Sequence, residues 1–345
     1  MKAKKLNGNT VLLIITIALF FVMYAVGCVI YSNKGFTHLQ TFLNILINNA
    51  GLLCITCGMT CVMLTGGIDI SVGSLVAMDC MILAVGMERW NMNAVLLCIL
   101  VLAIGIVFGV VQGFCVGYLN IQPFIVTMAG MFFARGMTAV ISTEQISISS
   151  NAFFVKLANT KISLPFGSYT NNKGVVQVPF IRVSVIVALL VLIAVFFMLR
   201  YTKFGRSLYA VGGSEQSATM MGLDVNKTKL KAYVLSSFLC SIGGIIFAER
   251  MNSGQPAANV NLEFDAITAV ILGGVSFVGG VGNMGGTILG IILIQSFNTG
   301  LTMVNVTSFW QYVAKGGLLL FALTTDYIRK QKREKDLLAA SMKNL

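Results

Sequence analysis

The stretch LTGGIDISVGSLVAM, residues 64–78, sets a glycine pair, an acidic residue and two serines between two long apolar runs. Gly66-Gly67 reads as the end of one helix, because glycine takes the left-handed conformation that closes helices without steric cost. Asp69 and Ser71 then open the next helix. A side-chain oxygen just ahead of a helix accepts from its first free N–H groups, a contact worth about 1 kcal/mol. Two readings follow from these residues, and both stay open. Either the stretch is a capped tight hairpin, or it is a broken helix end lining a polar cavity, the setting in which transporters tolerate irregular backbone.

Working outward, the chain has 345 residues, of which 57% are hydrophobic and 10% charged. An ordinary soluble chain carries about 25% charged residues. So little charge does not cover a water-facing surface, and lipid is the solvent that does not require it. The single histidine, His38, excludes a multi-histidine metal site, and neither a metal nor a cofactor is expected. All eight cysteines lie in apolar stretches, where a thiol behaves as a small hydrophobe. Cys54, Cys57 and Cys61 form a stripe on one helical face and read as packing rather than as a redox or zinc motif.

A crossing needs about twenty apolar residues. Runs that meet this begin near 10–31, which reads as an uncleaved first span, and continue at 45–65, 70–87, 94–117, 123–142, 182–199, 232–249 and 309–328. The glycine-rich run 266–300 is too long for one crossing and is interrupted at Gly279, Gly280, Gly282, Gly285 and Gly286. It reads as two shorter spans joined by a tight turn. The expected fold is therefore an all-α, polytopic membrane protein of about ten helices, some of them short and glycine-broken, in two inverted halves of five. Gly105, Gly109, Gly113 and Gly117 share one face of the fourth span, and Gly282, Gly286 and Gly290 one face of the ninth. Such faces let backbones approach closely in lipid, for packing within the chain or between subunits.

The formal charge of +12 is unevenly placed. Lys2, Lys4 and Lys5 precede the first span, six basic residues lie between Arg200 and Lys231, and six more between Arg329 and Lys343. Cationic loops mark the cytoplasmic side, so both termini and the 203–231 loop are expected inside and the 143–181 segment outside. No basic stretch is interleaved with aromatics as base stacking needs, which sets nucleic acid aside.

The signature, together with FGRSLYAVGGSEQSATMMGL (204–223) and LEFDAITAVILGGVSFVGGVGNMGGTILG (262–290), resembles the permease subunits of ribose-type bacterial ABC sugar importers. The match runs in order through nearly the whole chain. MAGMFFARGMTAVISTEQISI, residues 128–148, is most similar to one of the two permease subunits of the galactofuranose importer. The resemblance implies one transmembrane permease domain over 1–345 in the bacterial inner membrane. It implies a second permease copy or paralogue beside it, a cytoplasmic ABC ATPase subunit and an external sugar-binding protein. No GxxxxGK[ST] loop is present, so ATP hydrolysis is expected in the partner rather than in this chain. The alternatives are an ion-coupled sugar transporter and an ABC permease for nucleosides or branched-chain amino acids.

Site candidates follow. Asp69, Ser71, Asp79 and Arg135 are candidates for the substrate pathway, since charge at membrane depth is functional by default; Lys315 is the other charge at that depth. In the 203–231 loop, Gly213 leads to Ser214, which caps a helix of about seven or eight residues. Glu215 favours that helix's dipole, Ala218, Met220 and Met221 give it an apolar surface, and Gly222 ends it. This is the candidate ATPase-coupling helix. Glu249, Glu263 and Asp265 are candidates for docking the binding protein, and Asp265 also for capping the eighth span.

Overall fold

The computed structural model describes residues 38–170, 176–303 and 305–343, together with residues 21, 22 and 25. Apart from those last three, the expected first span at 10–31 lies outside the described residues. Four helices follow the next expected spans: α1 (Leu39–Leu64), α2 (Val72–Glu88), α3 (Ala94–Gly117) and α4 (Pro123–Ile141). After a segment holding the short α5 (Ala152–Asn159) come α6 (Val183–Tyr201), α7 (Lys203–Gly213), α8 (Glu215–Met220) and α9 (Val225–Met251). The chain closes with α10 (Leu262–Leu272), α11 (Met284–Met303) and α12 (Ser308–Lys343).

Among the described residues six helices, α1, α3, α4, α6, α9 and α11, are long and apolar enough to cross a membrane. The 17 residues of α2 stand at the lower limit. The 11 residues of α10 extend roughly 16 Å at about 1.5 Å per residue, half the hydrocarbon thickness. The run 266–300 thus holds one full-length helix and one half-length helix, joined by an irregular turn, in place of the two spans expected. Gly279 and Gly280 in that turn have φ of +93° and +71°.

The connections gather at two ends. At one end lie the break after α1, the α7–α8 junction and the turn before α11, where the Gly280 N–H donates to the Leu64 carbonyl at 2.9 Å. Asp326 of α12 holds the same turn, accepting from Ser276 Oγ at 3.1 Å and Phe277 N–H at 3.0 Å. At the other end, Glu88 accepts from the N–H groups of Ser149 and Ser150. There β1 (Ile146–Ser147) also pairs antiparallel with β6 (Ser253–Gly254). Two further short ladders fold the polar segment beside it. They join β2 (Lys161–Ser163) to β5 (Phe180–Arg182) and β3 (Tyr169–Thr170) to β4 (Val176–Gln177).

Helix α9 packs along α1, α2 and α3 and is the axis of the interior. It starts at Val225, ahead of the expected 232, because Asp224 caps it by accepting from Lys227 N–H at 3.0 Å. That amide and the Lys227 ammonium hold the Asp224 carboxyl below the usual carboxylate range. The glycine face of α3 is spent on α9, inside the chain. A Cβ at Gly109 would stand 2.7 Å from Val234 Cα, and one at Gly113 2.8 Å from Leu230 Cα. Gly286 and Gly290 do the same for α11 against Gly273 and Ala269. The outward faces of α3, α4 and α6 expose Val107, Phe132, Phe133 and Leu190, as a lipid contact requires.

Gly113→Leu should force α3 off α9, an overpacking that costs about 1–3 kcal/mol. We expect a lower melting temperature and abundance for the detergent-extracted protein. Gly136→Leu, where no neighbour lies within 4 Å of the added Cβ, should leave both unchanged.

Candidate functional site

The signature forms a polar knot closed off from solvent. Helix α1 ends at Leu64, and Gly66 turns the chain with φ +79°. Asp69 Oδ1 then accepts from Ser71 N–H at 3.1 Å and from Ser71 Oγ at 2.6 Å, while Oδ2 accepts from Ser236 Oγ of α9 at 3.0 Å. Gln112 Nε2 of α3 donates to Ser71 Oγ at 3.0 Å, and Tyr233 Oη of α9 donates to the Ile68 carbonyl at 3.1 Å. The break between α1 and α2 is therefore tied to α3 and α9 by one hydrogen-bonded chain. Asp69 and Ser71 are wholly buried, so in this conformation neither faces a passing solute.

Asp79, one helical stretch further, is also wholly buried. It lies against Gly244 of α9, where an added Cβ would stand 2.9 Å from Asp79 Cβ. The Ser241 hydroxyl is the polar group beside it, at a geometry outside hydrogen-bonding limits. Two thiols seal the same seam: Cys80 Sγ donates to the Gly244 carbonyl at 3.3 Å and Cys240 Sγ to the Val72 carbonyl at 3.2 Å.

Arg135 is half-buried on α4. Its Nη1 donates to the carbonyls of Pro256 and Ala258 at 3.1 and 2.9 Å, holding the connection before α10. The three carboxylates considered for docking turn inward. Glu249 is 5% exposed and Glu263 6%, the latter against Gly73 of α2. Asp265 pairs with Lys315 of α12 at 2.7 Å. Asp265 does not cap α10: that helix begins at Leu262, after Asn261 in the left-handed region, and Asp265 is its fourth residue. Among the described residues no three His, Cys, Asp or Glu side chains are grouped to hold a metal ion.

Helix α8 presents the opposite picture. Ser214 Oγ accepts from Ser217 N–H at 3.2 Å, Glu215 stands in the first turn, and Gly222 closes the helix with φ +77°. Gly222 N–H donates to the Thr219 carbonyl and Leu223 N–H to the Ala218 carbonyl, the paired bonds of a Schellman end. The helix is six residues long, one or two fewer than the cap and the glycine implied. Ala218 is buried and seats the helix, whereas Met220 is 78% exposed and Met221 66%. Lys229 of α9 pins it through Glu215 at 2.6 Å. Beside it a cavity of about 370 Å³ is lined by Lys203, Lys227 and Lys231 with Asp224.

Residues 203–213, part of the expected 203–231 loop, form helix α7, capped by Thr202, whose Oγ1 accepts from Gly205 N–H at 3.0 Å. Phe204, Leu208 and Val211 recur at helical spacing, a signal that an eye tuned to twenty-residue apolar runs passes over.

Comparison with known proteins gives consistent matches. Residues 41–323 match the family described as "Branched-chain amino acid transport system / permease component". The inner membrane ABC transporter permease protein YjfF of Escherichia coli is 34% identical over 309 residues, covering 90% of this chain and 89% of the relative. The ribose import permease protein RbsC of Escherichia coli is 35% identical over 296 residues, 85% of this chain and 88% of the relative. The galactose/methyl galactoside import permease protein MglC of Haemophilus influenzae is 30% identical over 329 residues, 92% of this chain and 95% of the relative. No solved structure matches significantly.

Asp69→Ala should strand the Ser71 N–H and the Ser236 hydroxyl in the interior, at about 1–3 kcal/mol for a buried unsatisfied group. Asp69→Asn keeps an acceptor for Ser71 and can donate to the Ser236 oxygen. Thermal unfolding in detergent should therefore show Ala clearly destabilised and Asn close to the parent. Equal damage by both would mean that the negative charge itself is required.

Proposed function

The chain belongs to the family described as branched-chain amino acid transport system / permease component, and on that premise we propose that it is the permease subunit of an ATP-driven bacterial sugar importer. The observation that carries the reading is α8. A six-residue helix, capped at both ends and pinned by an ion pair, holds two adjacent methionines out of the fold. Exposed methionine suits a groove that must be gripped through conformational change. The occupant proposed for this surface is a cytoplasmic ABC ATPase subunit, which supplies the hydrolysis for which this chain carries no phosphate-cradling loop.

The substrate proposed is a monosaccharide, from the ribose and galactose named for the relatives. The residues 128–148 favour galactofuranose within that class. The sugar passes between this chain and a second copy or paralogue, after delivery by an external binding protein. Both termini, α8, the signature break and the turn before α11 face the cytoplasm, following the basic residues Lys203, Arg206, Lys227, Lys229 and Lys231. Docking of the binding protein falls to the exposed residues of 143–181, because Glu249, Glu263 and Asp265 turn inward. A gradient-driven mechanism needs titratable groups that the solute can reach, and Asp69 and Asp79 are wholly buried.

Met220→Asp and Met221→Asp place a charge where an apolar groove is expected, at a cost of several kcal/mol unless it is paired. Both side chains are exposed, so folding should survive. Both variants should reach the membrane at parental abundance, lose sugar uptake at least tenfold and fail to co-purify with the ATPase subunit. Parental uptake by the double variant would remove the proposed role of α8.

A further inference from the structure

Three glycine backbones meet at the end of the fold that carries α8, and they come from three distant parts of the chain. Gly212 is the last residue but one of α7, just ahead of the Ser214 cap. A Cβ there would overlap the Leu64 carbonyl oxygen and the Gly280 nitrogen. A Cβ on Gly279 would stand 2.6 Å from Gly66 N and 3.1 Å from Gly212 Cα, and one on Gly280 2.6 Å from Gly213 N. A Cβ on Gly66 would in turn stand 3.0 Å from the Val278 carbonyl oxygen. Contact between backbones, without side chains between them, is stiff, since no rotamer can absorb a displacement.

The junction is also hydrogen-bonded. The last helical carbonyl of α1, Leu64, is taken by the Gly280 N–H at 2.9 Å, and Tyr209 Oη of α7 donates to the Gly282 carbonyl at 3.2 Å. Beyond it lie two interrupted elements. On one side are the Gly66 turn and the Asp69 knot between α1 and α2. On the other is the 273–283 turn, which joins the half-length α10 to α11 and is held to α12 by Asp326.

We infer that Gly212, Gly66 and the Gly279–Gly280 turn form the contact through which displacement of α8 reaches both interrupted helices. This rests on the coupling role proposed for α8. When α8 is pulled or pushed by its partner, α7 moves with it as a continuous helix up to Gly213. Gly212 then bears directly on the end of α1 and on the turn before α11, and both helix breaks shift together. Gly212, Gly280 and Tyr209 are thus positioning residues: they touch neither sugar nor nucleotide, and they set whether hydrolysis and passage stay linked.

The test uses the complete complex in proteoliposomes, with ATP hydrolysis measured without and with binding protein loaded with D-ribose or D-galactose. Gly212→Ala adds a methyl where there is no space, and Tyr209→Phe removes one hydrogen bond with no added bulk. Gly300→Ala, where nothing lies within 4 Å of the added Cβ, is the control. The expected result is that Gly212→Ala and Tyr209→Phe still co-purify with the ATPase and keep unstimulated hydrolysis. Their sugar-stimulated increment should fall at least fivefold and about twofold, respectively, and the control should match the parent. A merely structural role would instead lower abundance and leave the stimulated-to-unstimulated ratio unchanged, which would overturn the inference. Should Gly212→Ala fail to accumulate, Tyr209→Phe decides, and a parental ratio in that variant overturns it. The outcomes separate from those for α8 itself. If the Met220 and Met221 variants retain the ATPase, the coupling reading fails; if they lose it while Gly212→Ala stays coupled, only the junction fails.

Discussion

Asp69 has no access to water, and its carboxylate is met by donors from two elements packed around it. Ser71 answers from its own turn and Ser236 from α9, while Gln112 of α3 fixes Ser71 in turn. Leaving such a group unmet costs more than a met one contributes. The position of the break between α1 and α2 is thereby slaved to α3 and α9. Within the irregular backbone from Thr65 to Ser71, Thr65, Gly67, Asp69, Ile70 and Ser71 are buried, and enclosure by protein is one of the settings in which broken helices survive at membrane depth.

What brings α3 and α9 close enough for that answer is the absence of side chains. Lipid gives no hydrophobic drive for helices to associate, so dispersion contacts and interhelical hydrogen bonds must do it. Gly105, Gly109, Gly113 and Gly117 let the α9 backbone approach to contact distance, which sets Ser236 and Ser237 against the neighbouring helices. The same device recurs where α11 crosses α10 and where Gly66, Gly212 and the Gly279–Gly280 turn converge. Small residues here position polar groups and breaks, and the large apolar residues of α3, α4 and α6 face outward.

Much of this was legible in the sequence because the signals are local. Apolar runs located α2, α3, α4 and α6, and the end of α1, to within a few residues, and the Ser214 cap with Gly222 located α8. The direction a carboxylate faces is not local. Glu249, Glu263 and Asp265 looked like a surface cluster, but Glu263 turns toward Gly73 and Asp265 toward Lys315, partners far away along the chain. Helix α7 was missed because its apolar residues are three and four apart on a short surface helix. The half-length of α10 was missed because the glycines marked an interruption without saying how much of the run remained helical. The ladder of Ile146 with Gly254 and the meeting of Gly66, Gly212 and Gly280 depend on tertiary packing that no window of sequence contains.

On the proposed reading, an exposed methionine pair on a rigidly held helix, a sealed polar knot and a stiff backbone contact between them carry force from a hydrolysing partner to the helix breaks. The most direct test of that claim is uptake of labelled sugar into liposomes holding this chain, its partner permease and the ATPase, with loaded binding protein outside. The account predicts accumulation that requires ATP inside together with the ATPase subunit and that ionophores leave unchanged. Accumulation that persists without the ATPase and collapses when a proton or sodium gradient is dissipated would contradict it.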